Sequence, residues 1–76
     1  MKTWQPGDAL TPRDEALLTP LRQKARELGR TPTVGEVPQA AALKARFRLW
    51  KHAVLAAGLP ALNDPAQTRL REKEKR

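Results

Sequence analysis

The stretch Leu28-Gly29-Arg30-Thr31-Pro32-Thr33-Val34-Gly35-Glu36 limits what this chain can fold into more than any other. Gly29 is a natural helix stop, because glycine takes the left-handed backbone that closes a last turn. Pro32 disfavours helical backbone at Thr31, so Arg30-Thr31-Pro32 is a short extended connector. Thr33 and Glu36 then have the spacing of a capping box, in which hydroxyl and carboxylate each satisfy the other's free N–H. One helix stops and helical backbone restarts within a few residues. In a chain of 76 residues, that leaves room for one small domain built from short helices.

The flanking segments carry helical periodicity. Thr11-Pro12-Arg13-Asp14 opens a helix: threonine caps it, proline suits its first position, and Asp14 and Glu15 sit at the positive end of its dipole. Leu17, Leu18, Leu21, Ala25 and Leu28 recur at spacings of three and four and mark a buried stripe. Pro20 inside that pattern removes one helical bond, and the reading is one kinked helix over about 12–28. Pro38 limits the next element to a turn near 34–37. From Gln39 to Ala57, Leu43, Phe47, Trp50, Val54 and Ala57 form one apolar face. By propensity alone this is one helix ending at Gly58-Leu59-Pro60, with a break near Arg48 as the other reading. Asn63-Asp64-Pro65 caps a last helix whose only large apolar residue is Leu70, so that helix is marginal by itself.

Charge is the second constraint. Fifteen Lys and Arg against eight Asp and Glu give +7, with a pI near 10.9, and a field of that sign attracts phosphates. No acidic residue lies between Glu36 and Asp64, a window holding Lys44, Arg46, Arg48 and Lys51. Lys44, Arg48 and Lys51 make a second stripe beside the apolar one. A further basic run, Arg69-Leu70-Arg71-Glu72-Lys73-Glu74-Lys75-Arg76, closes the chain. The candidate nucleic-acid-binding residues are therefore Arg30, Lys44, Arg46, Arg48, Lys51, Arg69, Arg71 and Lys73. Cations on one helical face reach phosphates on either side of a groove, and Arg46 or Arg48 could also meet a guanine edge. Four to six neutralised phosphates predict a salt slope of about −4 to −5. Double-stranded DNA is the favoured partner. Structured RNA, as for a ribosome-associated protein, and an acidic protein partner are the other readings.

Catalysis has little to work with. There is no cysteine and one histidine, His52, and no metal-ligand spacing, phosphate loop or nucleophile–base pairing is present. The expectation is a non-enzyme without metal or cofactor. No apolar run approaches the roughly 20 residues that cross a bilayer, and the polar start does not resemble a signal peptide, so the expectation is a cytoplasmic protein with no membrane partner. Three segments are expected: a flexible N-terminal segment over 1–10, a helical binding domain over 11–60, and a basic tail over 61–76, partly helical or disordered. Phe47 and Trp50 lie on the apolar stripe and read as core. Trp4 lies outside any periodic segment and either folds back over the core or stands free to stack; the first is preferred.

Leu28-Gly29-Arg30-Thr31-Pro32-Thr33, then Phe47-x-x-Trp50, then Ala56-Ala57-Gly58-Leu59, resembles the homing-endonuclease-associated repeat over roughly residues 14–59. That family is a small helical module often found in tandem or beside HNH-type nuclease domains of bacteria and phages. The resemblance implies an all-α, three-helix, helix-turn-helix-like bundle and DNA binding as an accessory or targeting module of a nuclease, in the bacterial cytosol or nucleoid. Gly29, Thr31 and Pro32 match its inter-helix turn, Phe47 and Trp50 its core aromatics, and Gly58 and Leu59 its closing stop. The family usually has Gly-Ser between the aromatics, where this chain has Arg48 and Leu49. With the resemblance included, two helices, about 39–46 and 49–57, are preferred to one.

Overall fold

The computed structural model describes residues 3–74; Lys75 and Arg76 of the basic tail lie outside them. The fold is all-helical: α1 (Pro12–Leu28), a single 3-10 turn (Val34–Glu36), α2 (Ala40–Phe47), α3 (Trp50–Ala56) and α4 (Pro65–Glu74), with no strand among the described residues. No helix among them is long and apolar enough to cross a membrane.

α1 begins as its sequence dictates. Thr11 Oγ1 accepts from the Asp14 N–H at 3.1 Å, and Asp14 Oδ2 accepts from the Thr11 N–H at 3.0 Å. The helix continues through Pro20 and stops at Gly29 (φ 71°, ψ 19°), whose N–H bonds the Ala25 carbonyl. Leu18, Leu21 and Ala25 are buried, and Leu17 and Leu28 are half-buried at the edges of the same stripe.

The chain from Gln39 to Ala57 is two helices. Leu43, Phe47, Val54 and Ala57 are buried across both, and Trp50 is half-buried between them. The four-three spacing therefore persists across the break, which is why propensity alone reads one helix. α1, α2 and α3 pack on one another around Leu18, Leu21, Leu43, Phe47 and Ala53. Each of these is 0 % exposed, and a fully buried leucine contributes on the order of 1.5–3 kcal/mol.

Trp4 folds back onto this core. It is 4 % exposed, and its ring meets Phe47 edge-on at 5.4 Å. Its indole Nε1 donates to the Asp8 carbonyl, and its backbone N–H donates to the Arg46 carbonyl at 3.0 Å, at the end of α2. Within the 1–10 segment Trp4 is thus held against the core, as preferred from its sequence, because a small core recruits a large apolar ring wherever one can reach it.

The connector holds four later segments. Arg30 pairs with Glu36 and with Glu74 of α4. The Thr31 N–H donates to Gln67 Oε1 of α4 at 2.7 Å, and the Thr31 hydroxyl donates to the Pro60 carbonyl at 2.7 Å. Trp50 Nε1 of α3 donates to the Pro32 carbonyl at 3.1 Å. Glu36 Oε1 accepts from the Thr33 N–H at 2.8 Å, the carboxylate half of the expected capping box. α4 starts where expected, with Asp64 accepting from the Ala66 N–H and Pro65 in the first position. It is held by Gln67 and Glu74 rather than by Leu70, which stays 37 % exposed.

These ion pairs set an acid limit. The guanidinium of Arg46 beside Asp14, and that of Arg30 beside Glu36, draw both carboxyls down to about 2, from ordinary values of 3.8 and 4.5. Each carboxyl binds protons more weakly folded than unfolded, so its contribution is complete above the unfolded value and fades as pH falls. The urea midpoint is expected to be flat above about pH 5 and to drop between roughly pH 4.5 and 2. The double variant Asp14→Asn/Glu36→Gln should flatten that drop; an unchanged acid limb would mean other carboxyls set it.

Candidate nucleic-acid interface

The turn joining α2 to α3 is unusual in its backbone. Arg48 has φ 68° and ψ −55°, the one non-glycine residue with positive φ among the described residues. The Leu49 N–H reaches back to the Phe47 carbonyl at 2.8 Å, and Arg48 caps α2 through its own N–H to the Lys44 carbonyl at 2.7 Å. An i to i+2 bond around a positive-φ residue is a γ-turn, a rare and strained conformation. It is natural for glycine and costs on the order of 1–3 kcal/mol for other residues. Leu49 is back in extended conformation (φ −107°, ψ 140°) as the cap of α3, and its carbonyl accepts from the His52 N–H.

Three exposed cations surround this corner: Lys44 in the last turn of α2, Arg48 at the apex, and Lys51 in the first turn of α3. None of the three forms an ion pair among the described residues. Five of the eight carboxylates are paired elsewhere. Glu15 pairs with Arg22, Glu27 with Lys24, Glu36 and Glu74 with Arg30, and Asp14 with Arg46. The corner thus keeps uncompensated charge, as do the exposed Arg13 and Arg26 on α1 and Arg69 and Lys73 on α4, which also form no ion pair among the described residues.

Two sequence candidates have a different occupation. Arg30 is 7 % exposed in its side chain and donates to two carboxylates and the Thr31 carbonyl. Its role is to clamp α4 and the 3-10 turn to the connector. Arg46 makes a two-pronged bond to Asp14, at 2.6 and 3.1 Å, tying the end of α2 to the start of α1. A phosphate would have to displace a carboxylate that already satisfies the same donors. Both side chains are thus engaged by acids distant in sequence that fold onto them. Arg69 and Lys73 are exposed on α4, while Arg71 is half-buried with a long contact to Thr68 Oγ1 at 3.4 Å. The contacts of α4 run to the connector, so its cations belong to a different element from the corner.

His52 is half-buried, with its ring 6.3 Å from that of Trp4. No group of three or more His, Asp or Glu could hold a metal among the described residues.

Sequence reading missed the pairing of Asp14 with Arg46, 32 positions apart. It also missed the Arg22 Nε bond to the Ala57 carbonyl at 3.2 Å and the role of Gln67. No local pattern announces such contacts. The family's usual Gly-Ser at 48–49 was the signal for the turn, and the arginine there makes it a strained one, since a positive-φ site occupied by arginine keeps its conformation only when the surrounding structure enforces it.

The glycine test follows directly. Arg48→Gly should leave stability unchanged or raise it by up to about 1 kcal/mol, since the turn is already left-handed. A thermal melt checks this; a marked drop in midpoint would show that the arginine side chain holds the turn.

The fold and its corner define a small all-helical module with a cationic apex between two short helices. The model of the homing endonuclease associated repeat matches residues 12–60, and the chain belongs to that family. The matched span runs from the start of α1 past the stop of α3 and contains the connector, both family aromatics and the corner. No curated protein and no solved structure matches the chain.

Proposed function

We propose that this protein is a non-catalytic module that binds double-stranded DNA through the α2–α3 corner, as a targeting or accessory part of a nuclease system. The observation that carries the reading is Arg48. A cationic, exposed side chain occupies a backbone position where glycine would be unstrained, flanked by two further unpaired cations. Strain kept at an exposed charged residue is the pattern of a site that serves a ligand rather than the fold. Family membership supports the nuclease context.

With Arg30 and Arg46 engaged by carboxylates, the corner cations alone would neutralise about three phosphates, a salt slope near −2.7; the exposed cations of α4 extend it toward −5. Fluorescence anisotropy on a labelled duplex across a salt series measures this directly. A slope between about −3 and −5 is expected. A flat response, or no binding at low salt, would remove the proposal. A matched RNA duplex is expected to compete less well, because the narrow A-form major groove does not admit a helical corner. Preferential binding of the RNA would move the reading to that partner.

A further inference from the structure

The C-terminal half of α3 carries a second surface, of different character. Gly58 takes a left-handed conformation (φ 77°), and the Leu59 N–H bonds back to the Val54 carbonyl at 3.1 Å. That closure turns the chain beside α3 instead of away from it. Val54, Leu55, Leu59, Ala61 and Leu62 then line a groove of about 340 Å³, with Lys51 and Asn63 as its polar members. Leu55 is 55 % exposed, more than any other large apolar side chain described. Neither Leu55 nor Leu62 belongs to the main core or packs against it. Single exposed leucines are ordinary; here Leu55 stands beside a concave groove that further apolar residues line.

Charge decides between occupants. The only charged residue lining the groove is Lys51, and the sequence offers no carboxylate from Val37 to Asn63. A second copy brings the same +7 charge and no acid in that window, so two such faces repel. We propose that the groove takes an apolar side chain from a protein partner whose neighbouring residues are acidic. The apolar group fills the space between α3 and the 59–63 loop, and a carboxylate meets Lys51. Lys51 then serves both surfaces, so partner and nucleic acid compete for it. The groove itself goes beyond the DNA reading and stands without it.

Two synthetic peptides test this, each with the same pair of leucines, one flanked by glutamates and the other by lysines. They are titrated into the isotope-labelled full chain and followed by NMR. The glutamate peptide should shift Val54, Leu55, Leu59 and Leu62 saturably, and the lysine peptide should bind at least about tenfold more weakly. Leu55→Glu should abolish binding, and the milder Leu55→Gln should weaken it at least about tenfold; circular dichroism confirms that each variant is folded. No shifts with the glutamate peptide, equal affinity for both peptides, or shifts elsewhere would overturn the proposal. So would a dimer in sedimentation that Leu55→Gln disperses, or a duplex titration in which Leu55→Gln costs as much affinity as Lys51→Ala. Peptide binding that persists in a chain showing no DNA affinity would sink the DNA reading and leave this one standing.

Discussion

Replacing Lys44, Arg48 and Lys51 together with glutamate is expected to weaken duplex binding by at least about a hundredfold at physiological salt. Each lost phosphate contact removes close to one unit of salt slope, so the three together lower it by about 2.7. The added carboxylates then repel the backbone as well. All three side chains are exposed and make no ion pair among the described residues, so helix content should not change. A charge-matched control separates the corner from bulk charge. Reversing Arg13, Lys24 and Arg26 on α1 alters net charge equally and should lose far less affinity. Equal losses in the two triple variants, by anisotropy at one salt concentration, would show that overall charge rather than the α2–α3 corner drives binding.

Phe47→Ala should have the largest effect on the fold. The ring is fully buried, lies edge-on to Trp4, and sits immediately before the strained turn. Truncating a buried phenylalanine costs about 3–5 kcal/mol. A domain this small lies at the low end of the usual 5–15 kcal/mol, so most of its stability would be lost. The thermal midpoint is expected to fall by roughly 15 °C or more, read by circular dichroism. A shift of less than about 5 °C would place the ring outside the core. Arg48→Gly and Phe47→Ala act on adjacent residues in opposite senses. A chain in which both destabilised alike would have a turn held by side-chain packing rather than by backbone geometry.

The helices were legible because their signals are local. Thr11, Pro12 and Asp14 start α1, Gly29 stops it, and Gly58 closes α3, each through a backbone preference that no distant residue has to supply. The break at Arg48 was not legible in propensity. Arginine is a good helix former, and the apolar spacing runs unbroken from Leu43 to Ala57. It entered through the family resemblance, and the geometry shows why glycine is the usual occupant. The candidate site was legible as an acid-free window. The engagement of its cations was not, since Arg46 lies in the window yet is paired with Asp14 from the start of α1.

The amino-acid sequence by itself determined that this is a small, cationic, all-helical repeat with a fixed order of starts and stops, because caps, glycines and apolar periodicity act over a few residues. Only the tertiary structure decided which charges remain available. Ion pairing depends on which segments meet in space: folding brings Asp14 to Arg46 and Glu74 to Arg30, and leaves Lys44, Arg48 and Lys51 facing solvent around a strained turn.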